Sequence, residues 1–279
     1  GSGNGGSVSG LPAGVTGIFA GGVITISGSP TVSGTFNYTV TTAGGCPPAT
    51  TTGTIIVNPL PAATIAGTAT ICEYDISPTI TFTGVNGTTP YTFTYTVNGG
   101  TPQQVVSAAN GIATVSATTA VAGTFTYTLI SVVDGSTTLC AQNQTGTTII
   151  KVNPLPTASI AGTTAVCQSA AQPTVTFTGA SGTAPYTFTY NIDGGTNQTV
   201  VTTTGNSITV SVPTATPGTF TYNLISVTDA SSTICSQNQS GSAIITVNPL
   251  PTASIAGTIN VCQNATAPLI TFTGATGTA

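Results

Sequence analysis

The chain contains no histidine, tryptophan or methionine, and its single basic side chain is Lys151. Charged residues make up 2% of it, where an ordinary globular protein carries about 25%. Each of these gaps removes a class of function. Catalysis by a nucleophile, a histidine and an acid is excluded without histidine. One lysine cannot neutralise a run of phosphates, so nucleic acid is not a partner. Five acids and a formal charge of −4 are too thin to attract a cationic partner or to supply paired catalytic carboxylates. Long apolar runs are missing as well. Ile55-Ile56-Val57 is typical of those present, whereas a spanning helix needs ~18 residues or more, so no membrane insertion of this segment is expected. Gly1 to Gly10 lacks the basic region and apolar stretch of a signal peptide. The opening Gly1-Ser2-Gly3-Asn4-Gly5-Gly6 formally fits G-x-G-x-x-G, but no strand leads into it and no helix follows, so no cofactor site is expected there.

What is abundant is threonine, more than one residue in five, with glycine, alanine, valine and serine behind it. Threonine and valine with Gly/Pro punctuation make a strand-and-turn composition. Nine Phe and eight Tyr are enough to furnish cores. The strongest signal is repetition. Val57-Asn58-Pro59-Leu60-Pro61 returns as Val152-Asn153-Pro154-Leu155-Pro156 and as Val247-Asn248-Pro249-Leu250-Pro251, a period of 95 residues. Ile65-Ala66-Gly67-Thr68 returns in step as Ile160-Ala161-Gly162-Thr163 and Ile255-Ala256-Gly257-Thr258. A period of domain size marks a tandem array of self-sufficient units. The expected division is 1–57, the back part of a divergent unit; 58–152 and 153–247, two complete units; and 248–279, the front part of another. The sequence reads as a window cut from a longer polypeptide.

Within 153–247, threonine alternates with apolar residues along 173–179, 186–192 and 220–224. Alternation with period two means one buried and one solvated face, hence antiparallel sheet. Asp193-Gly194-Gly195, matching Asn98-Gly99-Gly100, suits a tight hairpin with positive φ. Further strands are expected at 158–160, 198–202, 208–212 and 244–247. About seven strands in a unit of this size predict an all-β fold: a tandem array of immunoglobulin-like sandwiches. Asn-Pro-Leu-Pro reads as a short, stiff joint, since proline fixes φ and restricts the residue before it; an array so joined is expected to be a rod.

Cys72 and Cys140 lie 68 residues apart, and so do Cys167 and Cys235. No C-x-x-C pair and no histidine are present, so a metal site is not expected. The recurring even pattern points to disulfides. Intradomain pairs Cys72–Cys140 and Cys167–Cys235 compete with pairs across the joint: Cys46–Cys72, Cys140–Cys167 and Cys235–Cys262. Loop entropy does not separate the two schemes; the precedent of ordinary sandwiches favours the intradomain pairs. Asp134 and Asp229 recur at one position, but Asp193 becomes Asn98, and Glu73 and Asp75 become Gln168 and Ala170. Calcium sites gather several carboxylates, so turn capping is the expected role of these acids. Tyr186, Phe188 and Tyr190 could line a sugar-binding face, but their same-face alternation fits core packing better. Lys151 is replaced by Thr246 and Ile56 in the other units, which excludes a Lys–Asn crosslink common to all.

The Val-Asn-Pro-Leu-Pro joint, Ala165-Val166-Cys167-Gln168 and Gly218-Thr219-Phe220-Thr221-Tyr222 together resemble the PKD-like and immunoglobulin-like repeats of giant secreted surface proteins of Bacteroidota, of the gliding-motility adhesin type. Leu11-Pro12-Ala13-Gly14-Val15, Ile26-Ser27-Gly28-Ser29-Pro30 and Gly34-Thr35-Phe36-Asn37-Tyr38 resemble a related Ig-type repeat of the same proteins. The resemblance implies export by the type IX pathway, display at the cell surface and a role as stalk or filament. The expected function is therefore a structural segment of an extracellular adhesin, not an enzyme, with no cofactor and no metal. The partners to test are surface polysaccharide and other adhesin chains. The alternatives are an array that itself grips polysaccharide and a spacer within a secreted polysaccharide-degrading enzyme.

Overall fold

The computed structural model describes residues 5–44 and 47–275. Most of the opening G-x-G-x-x-G match, Cys46, and Thr276 onward lie outside the described residues. Among those described there is no helix, and the chain is all-β. Residues 1–57 contribute β1 (Gly5–Ser9), β2 (Val15–Ala20), β3 (Val23–Gly28), β4 (Gly34–Ala43) and β5 (Thr50–Val57). Then follow β6 (Ala62–Ala66), β7 (Ala69–Cys72), β8 (Thr79–Val85), β9 (Thr92–Val97), β10 (Gln103–Val106), β11 (Ile112–Ser116), β12 (Gly123–Val133), β13 (Ala141–Asn143) and β14 (Thr147–Asn153). Each of these returns 95 residues later: β15 (Thr157–Ala161), β16 (Thr164–Cys167), β17 (Thr174–Ala180), β18 (Thr187–Ile192), β19 (Gln198–Val201), β20 (Ser207–Ser211), β21 (Gly218–Thr228), β22 (Ser236–Asn238) and β23 (Ser242–Asn248). A third cycle opens with β24 (Thr252–Ala256) and β25 (Thr271–Ala275).

In 153–247 the strands form a three-stranded sheet, β15-β17-β20, and a six-stranded one, β16-β23-β21-β18-β19 with β22 beside β21. The inner faces follow from the alternation. Val175 and Phe177 of β17 meet Phe188 and Tyr190 of β18, Leu224 and Val227 of β21, and Ile245 and Val247 of β23, all essentially buried. Phe177 bridges the two sheets, its ring centroid 5.7 Å from Phe188 and 4.9 Å from Tyr190. Burying one such ring stabilises the fold by roughly 3 kcal/mol. Tyr186, Phe188 and Tyr190 thus belong to the core and form no exposed aromatic face. Asp193 (φ 52°) and Gly194 (φ 74°) make the expected hairpin turn, closed by Gly195 N donating to Ile192 O at 2.9 Å.

Two features depart from a plain antiparallel reading. First, β16 pairs with β23 in parallel, Cys167 opposite Asn248. The chain leaves β15 in one sheet and crosses to the edge of the other at Gly162, whose φ is +125°. A Cβ there would stand 2.5 Å from Thr174 O, so Ala-Gly-Thr recurs because only glycine lets the strand switch sheets. Second, β21 carries a bulge between its pairings at Leu224 and Ser226. The extra residue shifts the phase, so that Tyr222, Leu224 and then Val227 all point inward. In residues 1–57, β4 pairs with β5 in the register Gly34↔Val57, matching Gly218↔Val247 of β21 and β23.

By contacts the chain divides into two compact units. The first comprises the described residues up to Ala69, Ile76–Thr118 and Thr124–Lys151; the second comprises Thr70–Asp75, Thr119–Gly123 and the described residues from Val152 onward.

Candidate functional site

The second unit contains the one disulfide among the described residues. Cys72, at the end of β7, is bonded to Cys235 with an S–S distance of 2.00 Å across 163 residues. Cys140, Cys167 and Cys262 are free thiols. The expected intradomain pairs Cys72–Cys140 and Cys167–Cys235 are therefore not formed, and neither are Cys140–Cys167 and Cys235–Cys262.

The reason lies in what holds the end of β7. Glu73 N donates to Asn153 O and Tyr74 N to Thr119 O, both at 2.9 Å. The Glu73 carboxylate accepts Ala122 N on Oε1 at 2.9 Å and Leu155 N on Oε2 at 3.1 Å. Asn153, 5% exposed, then donates from Nδ2 to Thr233 Oγ1 at 2.9 Å. That hydroxyl lies 3.3 Å from Cys72 Sγ and 3.2 Å from Cys235 Sγ. The asparagine of the Asn-Pro-Leu-Pro segment thus ties β7 to the 229–235 loop. Asn58 reaches a different loop, donating to Thr138 Oγ1 at 2.8 Å.

The 229–235 loop is shaped by a buried acid. Asp229 Oδ1 accepts from Ser231 Oγ at 2.7 Å, Cys235 N at 2.9 Å and Ser231 N at 3.2 Å, while Oδ2 accepts Thr183 N at 3.0 Å. Asp134 makes the corresponding bonds to Ser136 Oγ (2.7 Å), Ser136 N (3.2 Å) and Thr88 N (3.1 Å). Burial pushes the Asp134 carboxyl up, but hydrogen bonds from Ser136, Thr88 and Cys140 outweigh it and hold it below the ordinary carboxylate value. Both acids spend their oxygens on N–H and O–H donors, the work of turn clamps. Asp193 Oδ1 likewise accepts Thr221 N at 2.7 Å, as Asn98 Oδ1 accepts Thr126 N at 2.8 Å, so asparagine serves there equally well. Among the described residues no group of three or more His, Cys, Asp or Glu could hold a metal ion.

Ile234, just before the bonded cysteine, has φ of 54°, and Leu139 before Cys140 has 49°. A β-branched residue in the left-handed region is strained. Ile234 N donating to Ser231 O at 3.0 Å, together with the Asp229–Cys235 bond, imposes it. Chemically the site is a two-electron dithiol/disulfide couple, and with Cys72 7% and Cys235 1% exposed it is shielded from reductants. Sequence reasoning identified the cysteines but not their pairing, and assigned Asn153 to a linker. The shared Asp-x-Ser-x-Thr-x-Cys pattern at 134–140 and 229–235 marks a built loop ahead of the cysteine, but it precedes a free thiol and a bonded one alike and so carries no information on the pairing.

No protein-family model matches the chain, and a search for similar curated proteins finds no match. Solved structures are similar to it in different degrees. Three consecutive titin I-band domains, I67–I69, align over 88% of this chain and 87% of theirs, with 10% identity and a TM-score of 0.50. A Ca2+-stabilised adhesin that helps an Antarctic bacterium reach out and bind ice aligns over 84% of this chain and 66% of its own, at 16% identity and a TM-score of 0.41. Invasin, a bacterial integrin-binding protein, aligns over 90% of this chain and 54% of its own, at 16% identity and a TM-score of 0.40. The chain therefore spans less than two thirds of the length of these two bacterial proteins. The likeness to titin is one of fold: this is a tandem array of immunoglobulin-like β-sandwiches.

Proposed function

We propose that the chain is a stalk segment of a large extracellular cell-surface adhesin, its repeats 58–152 and 153–247, flanked by part repeats 1–57 and 248–279, spacing a distal adhesive region from the cell. The observation that carries this reading is the return of every strand from β6 to β14 at one fixed interval, with the same Val-Asn-Pro-Leu-Pro connection each time. Such repetition lengthens a molecule without adding chemistry. A surface of Thr, Ser and Asn with 2% charge stays hydrated yet attracts few ionic partners. A buried disulfide suits an oxidising, extracellular setting. Export by the type IX route and membership of the gliding-motility type of adhesin follow from the family resemblance and form part of the proposal. The rival in which each repeat grips polysaccharide loses its aromatic platform, because Tyr186, Phe188 and Tyr190 are core residues.

The test is thermal unfolding of the chain at low and high salt, with and without EDTA, alongside titration with surface polysaccharides. Near-identical midpoints and no saturable binding are expected, since there are few charges to screen. Saturable sugar binding would move the function to adhesion by the repeats themselves. A large drop with EDTA would turn Asp134 and Asp229 into calcium ligands.

A further inference from the structure

We propose that the cysteine ending the short edge strand of each repeat bonds the loop cysteine of the repeat that follows it, so that Cys167 and Cys140 are the open halves of the same bond made to neighbouring repeats. This rests on the tandem-array reading and adds a covalent link at every joint.

The observed bond already has this form, joining Cys72 of 58–152 to Cys235 of 153–247. The Cys167 half is built in the same way as the Cys72 half. Gln168 N donates to Asn248 O at 2.8 Å and Ser169 N to Thr214 O at 2.9 Å, as Glu73 N and Tyr74 N do to Asn153 O and Thr119 O. Thr214 Oγ1 donates to Ala170 O at 2.7 Å, as Thr119 Oγ1 does to Asp75 O at 3.0 Å. Yet the Cys167 thiol is exposed where the sulfur of Cys72 is buried. The turn behind the cysteine occurs a third time, with Ala265 N donating to Cys262 O at 3.1 Å.

The Cys140 half is built in the same way as the Cys235 half. Its sulfur lies 3.4 Å from Thr138 Oγ1 and 3.9 Å from Ser136 Oγ, and Asn58 already occupies the place on Thr138 that Asn153 takes on Thr233. Each open half therefore specifies its partner. Cys167 takes a cysteine set in an Asp-x-Ser-x-Thr-x-Cys loop, and Cys140 takes one that ends an edge strand. Formation proceeds by exchange with an oxidising disulfide. One cysteine thiolate attacks a sulfur of the oxidant and expels a thiolate; the second thiolate then attacks the protein sulfur of the mixed disulfide. The oxidant leaves as a dithiol carrying the two electrons and two protons of the cysteine pair.

The experiment inserts a second copy of residues 153–247 after Val247 of the full chain, with Cys167→Ser and Ile234→Val in the inserted copy to give its peptides their own masses. After refolding in a glutathione redox buffer and alkylation of free thiols, non-reducing peptide mapping reads the bonds. Cys72–Cys235 and a bond from Cys167 to the loop cysteine of the insert are expected, with Cys140 alkylated. Full alkylation of Cys167, its pairing with Cys235 or Cys140, or absence of the Cys72–Cys235 bond would each overturn the proposal. The chain without the insert gives a second measurement: under native conditions Cys140 and Cys167 should react with maleimide, and Cys72 and Cys235 only after reduction. Native-state protection of Cys167 there would also count against it. Saturable sugar binding with these bonds intact would remove the stalk reading alone; a free Cys167 without sugar binding would remove the covalent link alone.

Discussion

The loops 134–140 and 229–235 have the same Asp-x-Ser-x-Thr-x-Cys pattern and nearly the same hydrogen bonds, yet Cys235 is bonded and Cys140 is a free thiol. The shared geometry is therefore not made by the disulfide. It is made by the buried aspartate, which orients the loop and presents a sulfur; the bond is then formed on a shape that already exists. The strained φ at both Leu139 and Ile234 leads to the same conclusion, since the free loop carries it too.

The largest test of this contrast is removal of one sulfur. Cys235→Ser should lower stability by about 3–5 kcal/mol, whereas Cys140→Ser should cost less than about 1 kcal/mol, both read by urea unfolding without reductant. Equal losses would erase the distinction between the two loops. Next come the aspartates. Asp229→Ala and Asp134→Ala should each cost about 2–4 kcal/mol, because buried N–H donors lose their acceptor. If Asp134→Ala were harmless, the acid would not be what shapes the free loop.

Acid titration gives a smaller effect. The folded carboxyl of Asp134 titrates below its ordinary value. Its stabilisation is therefore complete above the ordinary carboxylate range and is lost as pH falls through the lower, folded value. Melting midpoints should be flat between about pH 5 and 8 and should fall below about pH 4, with a shallower fall in Asp134→Asn. The smallest effect is at the strained residue. Ile234→Gly should raise stability by roughly 0.5–1 kcal/mol, since glycine accepts positive φ at the cost of some entropy in the unfolded chain. A loss instead would show that the isoleucine side chain contributes packing that its 67% exposure hides.

The sandwich was legible because alternation maps directly onto inner and outer faces. The stretches 173–179 and 186–192 read as strands, and the structure has strands at Thr174–Ala180 and Thr187–Ile192. The reading along β21 stopped at Leu224 because the bulge reverses the phase beyond it, so the inward Val227 breaks a strict period of two. Two strands left too little pattern to read: β16 has four residues and β22 three, neither with a fully buried position. The cysteine pairing was illegible for a different reason. The entropic difference between closing 68 and 163 residues is under ~1 kcal/mol. The choice rests on the side chain of Asn153 reaching Thr233, a contact across 80 residues that no local pattern encodes.

The Cys72–Cys235 bond also sets the path along which tension travels. A pull transmitted along the chain enters at Cys72 and leaves at Cys235, so the segment between them carries no load while the bond holds. Its 163 residues represent on the order of 550 Å of slack, withheld from any stretching until a reductant reaches a sulfur pair that the fold keeps buried. The bond must therefore be reduced before tension can unfold this segment, and single-molecule pulling with and without reductant would read that length directly.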